Sequence, residues 1–197
     1  MMRLVRLYLA GPAGSGKTTV AEMLVRDYGF ARVSLGGLCR EEARRRGLPE
    51  DRATLQAIGD LLRGPEPARL AFLAWERARR VPGPVVFDGV RLRPEAQWLS
   101  ARGVIGVRLS APDHVRAARL LIREGTTAVP PHATESEAEM LATDFRLYGE
   151  NLESLRRPTR LLVARVHLLA AMSWTPVALA VGSRHTPTPL ARPTRRP

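Results

Sequence analysis

The sequence predicts an α/β fold in which a central parallel sheet lies between two helical layers. Short apolar runs of strand type alternate along the chain with amphipathic segments of helical period. Such alternation implies right-handed crossovers, which make neighbouring strands parallel. A glycine-rich turn follows the first strand, at the edge where sheets of this kind bind ligands.

The predicted elements follow one another in a regular order. The strand segments are residues 4–9, 31–35, 85–88 and 104–109. The helical segments are residues 18–28, 40–46, 53–62, 68–79, 94–102, 115–124 and 136 to about 148. The breaker run Gly64-Pro65-Glu66-Pro67 separates the third helix from the fourth.

Length and composition indicate one compact domain. The chain has 197 residues, of which 45% are hydrophobic and 25% charged, enough for one sizeable core. Cys39 is the only cysteine, so an intrachain disulfide is impossible and a zinc cluster is disfavoured. We therefore expect a reducing, cytoplasmic setting. The apolar run 161–182 is interrupted by Arg165, His167 and Pro176, and we expect no membrane span.

The net charge of +12 raises the question of a polyanionic partner. The last fifteen residues supply +4 of it through Arg184, Arg192, Arg195 and Arg196. The remaining excess fits an arginine-rich surface or a cleft for polyanionic small molecules. A nucleic-acid partner is possible but not favoured, because the chain carries no recognisable nucleic-acid-reading motif.

The glycine-rich turn matches the pattern GxxxxGK[ST] over Gly11–Thr18, the phosphate-binding P-loop. Its glycines let backbone N–H groups point at phosphate oxygens, aided by the positive end of the following helix. Lys17, the only lysine in the chain, is predicted to bridge the β- and γ-phosphates of ATP. The predicted nucleotide-binding residues of the loop are Gly11, Ala13, Gly14, Ser15, Gly16, Lys17, Thr18 and Thr19.

Asp88 is the predicted partner of this loop. It ends an apolar strand, and at the carboxyl edge of a parallel sheet its carboxylate could reach Mg²⁺ held by the Thr18 hydroxyl. We therefore predict Thr18 and Asp88 as the metal-side residues.

With a single lysine the chain cannot hold both a P-loop and the Asn-Lys-x-Asp signature that specifies guanine, which disfavours a GTPase switch.

Three segments resemble adenylate kinase. Ser34-Leu35-Gly36-Gly37-Leu38-Cys39-Arg40 is similar to the segment that opens its monophosphate-binding region. Asp88-Gly89-Val90-Arg91 resembles its Asp-Gly-Phe-Pro-Arg with one residue missing, and Gln97 falls near its base-contacting glutamine. Arg119-Leu120-Leu121-Ile122-Arg123 is similar to the Arg-Leu-x-x-Arg that precedes its mobile lid.

A second resemblance covers the middle of the chain. The segment 55–63, together with the segment 88–91 and Glu95, resembles phage-type deoxynucleoside monophosphate kinases and small kinases related to dephospho-coenzyme A kinase. The two resemblances imply a P-loop NTPase fold with a helical acceptor-binding insertion and a short lid. They span about residues 4–155.

Several arginines are predicted to serve two phosphorylated reactants, because guanidinium groups clamp phosphate oxygens and neutralise charge in the transition state. Arg119 and Arg123 lie four residues apart and share a helix face. The predicted catalytic residues are Lys17, Asp88, Arg91 and Arg123. Arg119 is assigned to the nucleotide. The predicted acceptor-binding residues are Ser34, Arg40, Arg63, Arg91 and Gln97.

The resemblances imply an ATP- and Mg²⁺-dependent phosphotransferase acting on a nucleoside or deoxynucleoside monophosphate. Two alternatives stay open. One is phosphorylation of a hydroxyl, as in dephospho-coenzyme A kinase, with Asp88 taking the proton. The other is a non-kinase protein that binds nucleic acid or another partner under the control of ATP. We expect a small phosphorylated acceptor as partner, and a monomer or homodimer.

The end of the chain departs from these kinases. Residues 1–157 are predicted as the kinase domain, and residues 158–182 as a possible last strand, at 161–166, or an irregular apolar segment. Residues 183–197 are rich in proline and arginine and are predicted to be disordered.

Overall fold

Five parallel strands form one sheet in the order β2-β3-β1-β4-β5. The computed structural model describes residues 4–125 and 141–172, apart from the side chains of Arg123 and Glu124. The strands are β1 (Arg6–Ala10), β2 (Ala31–Ser34), β3 (Val85–Asp88), β4 (Ile105–Ser110) and β5 (Phe145–Tyr148). The loop predicted as the lid lies outside the described ranges from residue 126 onwards, and so does the predicted disordered tail, residues 183–197.

Seven helices are described within those ranges. They are α1 (Lys17–Tyr28), α2 (Leu35–Arg45), α3 (Arg52–Arg63), α4 (Arg69–Ala78), α5 (Arg93–Ser100), α6 (Asp113–Glu124) and α7 (Leu152–Ala171). Side-chain caps define several starts, because Ser34, Asp51 and Asn151 each accept a hydrogen bond from a backbone N–H three residues later. None of the described helices combines the length and apolarity that a membrane crossing requires.

The sheet has a hydrophobic core on each face. Side chains alternate along β1, so Tyr8 joins the core formed with helices α2–α5, whereas Leu7 and Leu9 join the core formed with α1 and α7. Both faces are covered by helices, as a parallel sheet requires. The α/β fold predicted from the sequence is therefore confirmed.

The last part of the chain differs from the prediction. Residues 145–148, predicted to end a helix, form β5, in which Phe145 pairs with Val107 and Leu147 with Leu109. Residues 161–166, predicted as a possible last strand, lie inside α7. The buried positions of α7 recur at the three- and four-residue spacing of a helix, and they are Leu155, Thr159, Leu162, Val163 and Val166. This helix runs through residue 157, the predicted domain boundary.

Gly106 offers a test of the packing between β1 and β4. It pairs with Tyr8, and a Cβ added at Gly106 would lie 2.5 Å from the Tyr8 hydroxyl oxygen. We expect Gly106→Ala to lower the free energy of unfolding by about 1–3 kcal/mol, because the buried Tyr8 ring would have to shift to admit the added methyl group. Chemical denaturation measures this.

The matched control is Gly36→Ala, since outside its chain neighbours and its own helix backbone the nearest atom to an added Cβ there is 3.7 Å away. Gly36 lies in helix α2, where alanine is favoured over glycine, so this variant should be as stable as the wild type or more so. Equal stability of the two variants would contradict the tight packing at Gly106.

Candidate active site

The phosphate loop joins β1 to α1 at the carboxyl edge of the sheet. Gly11 has a φ of +130°, and an added Cβ there would lie 2.2 Å from the Leu109 carbonyl oxygen of β4. Gly16 caps α1 in the left-handed conformation, with a φ of +96°. Both positions therefore favour glycine, and the motif read from the sequence has the geometry that it predicted.

The side chains of the loop are arranged around its backbone. Lys17 Nζ donates hydrogen bonds to the carbonyl oxygens of Gly11 and Pro12, at 2.8 and 2.7 Å, and so folds back across the loop. Thr18 lies exposed in the first turn of α1. Ser15 is fully buried, and its hydroxyl has no hydrogen-bond partner among the described residues. These groups fit the phosphates of a nucleotide, which bring the acceptors that the loop's donors require.

Two arginines of α6 hold the other side of the loop. Arg116 Nε donates to the Ala13 carbonyl oxygen at 3.0 Å, and Arg119 donates to the Gly14 carbonyl oxygen at 2.8 Å. Arg119 also donates to the Glu150 carbonyl oxygen at 2.8 Å, so it ties the loop to the connection between β5 and α7. We call Arg116 and Arg119 the loop clasp.

The sequence analysis did not predict this clasp. Arg119, predicted to contact the nucleotide, lies against the phosphate loop, and its contact with the nucleotide stays a prediction; Arg116 was not predicted. Its signal is the spacing of three residues from Arg119, which places both on one helix face. Arg123 lies in the last turn of α6, and its side chain is outside the described part of the chain, so its catalytic role stays a prediction.

Asp88 is the last residue of β3 and pairs with Leu9 of β1, immediately before the phosphate loop. The residue is only 7% exposed. Its carboxylate forms an ion pair with Arg32, which reaches it from β2. Arg32 was not predicted, because nothing in a four-residue strand segment indicates which acid a long side chain will reach. The carboxylate predicted for the metal thus has a guanidinium beside it.

Four of the predicted acceptor-side residues lie at the end of β2, in α2, in the turn after β3 and in α5. Ser34 accepts a hydrogen bond from the Gly37 N–H at 3.1 Å and so caps α2. Arg40 is about half exposed on the same helix, 3.8 Å from a Glu50 carboxylate oxygen. Arg91 lies three residues after Asp88, between β3 and α5. Gln97 is exposed on α5.

Arg63 has contacts that the sequence did not predict. It is 8% exposed, and its Nε donates to Glu95 Oε1 at 2.9 Å, while another nitrogen donates to Asp60 at 3.1 Å. Its guanidinium is thus used inside the protein, in place of the direct contact with the acceptor that we predicted.

Burial raises the pKa of the neighbouring Cys39 thiol, and the positive charges of Arg63 and Arg91 oppose that rise.

The family described as "AAA domain" matches residues 10–125, more than half of the chain. A cytidylate kinase from Haloquadratum walsbyi is 35% identical over 141 residues, covering 68% of this chain and 68% of that protein. A cytidylate kinase from Pyrococcus furiosus is 32% identical over 149 residues, covering 75% of this chain and 73% of that protein. The chain belongs to the nucleoside monophosphate kinase-like family of P-loop proteins.

A solved structure supports the fold alone. A gluconokinase from Sinorhizobium meliloti superposes with a TM-score of 0.57 at 18% identity, covering 86% of this chain and 97% of that one.

Membership of the family identifies the chain as a nucleotide-binding kinase that carries out ATP-dependent phosphotransfer. Kinases with a P-loop use ATP, typically with Mg²⁺.

The loop clasp can be tested on the nucleotide side. We expect Arg119→Met to raise the KM for ATP about tenfold, because it removes hydrogen bonds from a charged donor that hold Gly14 and Glu150 in place. Steady-state kinetics at saturating acceptor measures this. The matched control is Arg160→Met, an exposed arginine of α7, which should leave the KM unchanged. A folded Arg119→Met enzyme with wild-type KM for ATP would contradict the clasp.

Proposed function

We propose that this kinase transfers the γ-phosphoryl group of Mg-ATP to a nucleoside or deoxynucleoside monophosphate, with cytidine monophosphate as the first acceptor to test. The observation that carries the proposal is the adjacency of β1 and β3. It puts the turn 88–91 beside the phosphate loop, on the same edge of the sheet. Several relatives of this chain are named cytidylate kinases, which supports a cytosine nucleotide as the acceptor.

The Arg32–Asp88 ion pair favours a phosphate acceptor over a hydroxyl. A hydroxyl acceptor needs a general base within reach, and the Asp88 carboxylate is already engaged by the Arg32 guanidinium. A monophosphate needs no base, because its oxygens are already ionised at neutral pH. Catalysis then depends on alignment of the two reactants and on stabilisation of the developing charge.

Each group has a role in that scheme. Lys17 contacts the phosphates of ATP, and Thr18 and Asp88 are the residues that would hold Mg²⁺. The metal supplies neutralisation of phosphate charge when it is bound. Arg91, from the turn after β3, and Arg40, from α2, serve the acceptor phosphate, with Ser34 and Gln97 on the same side.

The acceptor can be identified by a screen. We expect ADP release to be stimulated many-fold by cytidine or deoxycytidine monophosphate, and less by the other monophosphates. Lys17→Met should lower kcat by about 10²–10³-fold, because it removes a charged donor at the transferred group. A coupled assay for ADP, with product confirmed by chromatography, measures both.

Dephospho-coenzyme A belongs in the same screen as the hydroxyl-bearing competitor. Stimulation by dephospho-coenzyme A alone would replace the proposed acceptor with a hydroxyl. Stimulation by no monophosphate at all would remove the proposed function.

The Arg32–Asp88 pair predicts a change in the requirement for Mg²⁺. Arg32→Met should lower the Mg²⁺ concentration for half-maximal activity several-fold, since it removes a cation that competes for the Asp88 carboxylate. Titration of activity with Mg²⁺ at fixed ATP measures this. The matched control is Arg26→Met, which breaks the exposed pair with Asp27. An unchanged Mg²⁺ requirement in Arg32→Met would argue against a metal-side role for Asp88.

A further inference from the structure

Glu95 is a fully buried carboxylate, with 0% of its surface exposed. A buried carboxylate is stable only when its oxygens are hydrogen-bonded or paired with a positive charge. Glu95 has both kinds of partner. Oε1 accepts from Arg63 Nε at 2.9 Å, and Oε2 accepts from the backbone N–H groups of Arg91 and Leu92, at 3.0 and 3.1 Å.

The two oxygens of Glu95 therefore face two different parts of the fold. Oε2 holds the backbone at the end of the turn 88–91, where Arg91 is presented. Oε1 holds Arg63, which stands in the last turn of α3. Helix α3 belongs to the α2–α4 insertion between β2 and β3. The carboxylate thus connects the insertion to the turn that follows Asp88.

A helix cap alone does not account for this arrangement. Glu95 is the third residue of α5, and its bond to the Leu92 N–H is that of a capping box. The bond to the Arg91 N–H lies one residue before the cap, and the pair with Arg63 spans 32 residues of sequence. The first of these contacts holds Arg91, which the proposed function assigns to the acceptor phosphate, and the second holds the carboxylate that makes that contact.

We propose that Glu95 is a positioning residue for phosphotransfer, with its carboxylate fixing the backbone of the turn 88–91 so that Arg91 faces the acceptor, and with Arg63 holding that carboxylate from α3. This inference rests on the proposed function, because it takes Arg91 as an acceptor ligand. It gives Arg63 a place in acceptor binding that acts through Glu95. Loosening of the turn should therefore weaken acceptor binding and spare ATP binding.

Two double variants separate positioning from folding. Both replace Arg63 by Met, so neither leaves an unpaired guanidinium inside the protein. In Arg63→Met/Glu95→Gln the amide oxygen can still accept from the N–H groups of Arg91 and Leu92. In Arg63→Met/Glu95→Leu no acceptor remains for them. The matched control is Arg77→Met/Glu41→Leu, which removes an exposed ion pair between α4 and α2.

The measurements are the KM for the monophosphate, the KM for ATP and the melting temperature. We expect the acceptor KM to rise at least tenfold in the Leu variant, and to stay within about threefold of wild type in the Gln variant and in the control. The KM for ATP should stay within about twofold in all of them. If the Leu variant fails to fold, Glu95→Asp replaces it, because its shorter side chain withdraws the carboxylate from the turn and should raise the acceptor KM in the same way.

The positioning role is overturned if the Leu and Gln variants both fold and have equal acceptor KM values. Where the Leu variant does not fold, the role is overturned if Glu95→Asp has the wild-type acceptor KM. A parallel rise in the KM for ATP would also overturn it, since that rise indicates general loosening of the structure.

Arg91→Met, in the same assay, distinguishes failure of the positioning role from failure of the proposed function. If it raises the acceptor KM while the Glu95 variants do not, only the positioning role fails. If it leaves the acceptor KM unchanged, or if no monophosphate is phosphorylated, the proposed acceptor site fails and the inference with it.

Discussion

The parallel pairing of β1 with β3 is the constraint on which the site depends. It aligns Leu9 with Asp88, so the phosphate loop and the turn 88–91 leave the sheet side by side. Neighbouring parallel strands end at one edge, and at that edge backbone N–H groups, a helix start and strand-end side chains come together. Asp88 and Arg91 lie 70 or more positions after Lys17 and Thr18 in the sequence, and this pairing brings the two segments together.

Arginine performs most of the electrostatic work in this chain, in which Lys17 is the only lysine. Arg116 and Arg119 hold carbonyl oxygens of the phosphate loop. Arg32 neutralises Asp88, and Arg63 neutralises the buried Glu95. A planar guanidinium with five donors suits each of these tasks, because it can bond several acceptors at once while it keeps its charge. Arg119, whose acceptors are uncharged carbonyl oxygens, accounts for part of the excess of positive charge, whereas the charges of Arg32 and Arg63 are balanced by the acids that they contact.

Prediction from the sequence succeeded where the signal is local. The P-loop, the strand that ends at Asp88 and most helices were predicted to within a few residues, because glycine spacing, apolar runs and caps are short-range features. It failed for β5 and for residues 161–166. A four-residue edge strand has little pattern of its own, and the helical period of α7 is obscured by Pro158 and by a dense apolar run. Asp88, the partner of Arg32, lies 56 residues from it, and Glu95, the buried partner of Arg63, lies 32 residues from it, so no local pattern reveals these two pairs.

The sequence by itself determined that Gly11–Thr18 forms a P-loop motif between a strand and a helix, and it predicted that an acid at a strand end accompanies the loop. Those conclusions need only the spacing of residues and the geometry that glycine permits. The tertiary structure decided which charges meet. Arg32 forms an ion pair with Asp88, and Arg63 forms a buried ion pair with Glu95. Arg116 and Arg119 donate hydrogen bonds to carbonyl oxygens of the phosphate loop. Long side chains reach partners across the fold, and their choice depends on how helices and strands pack.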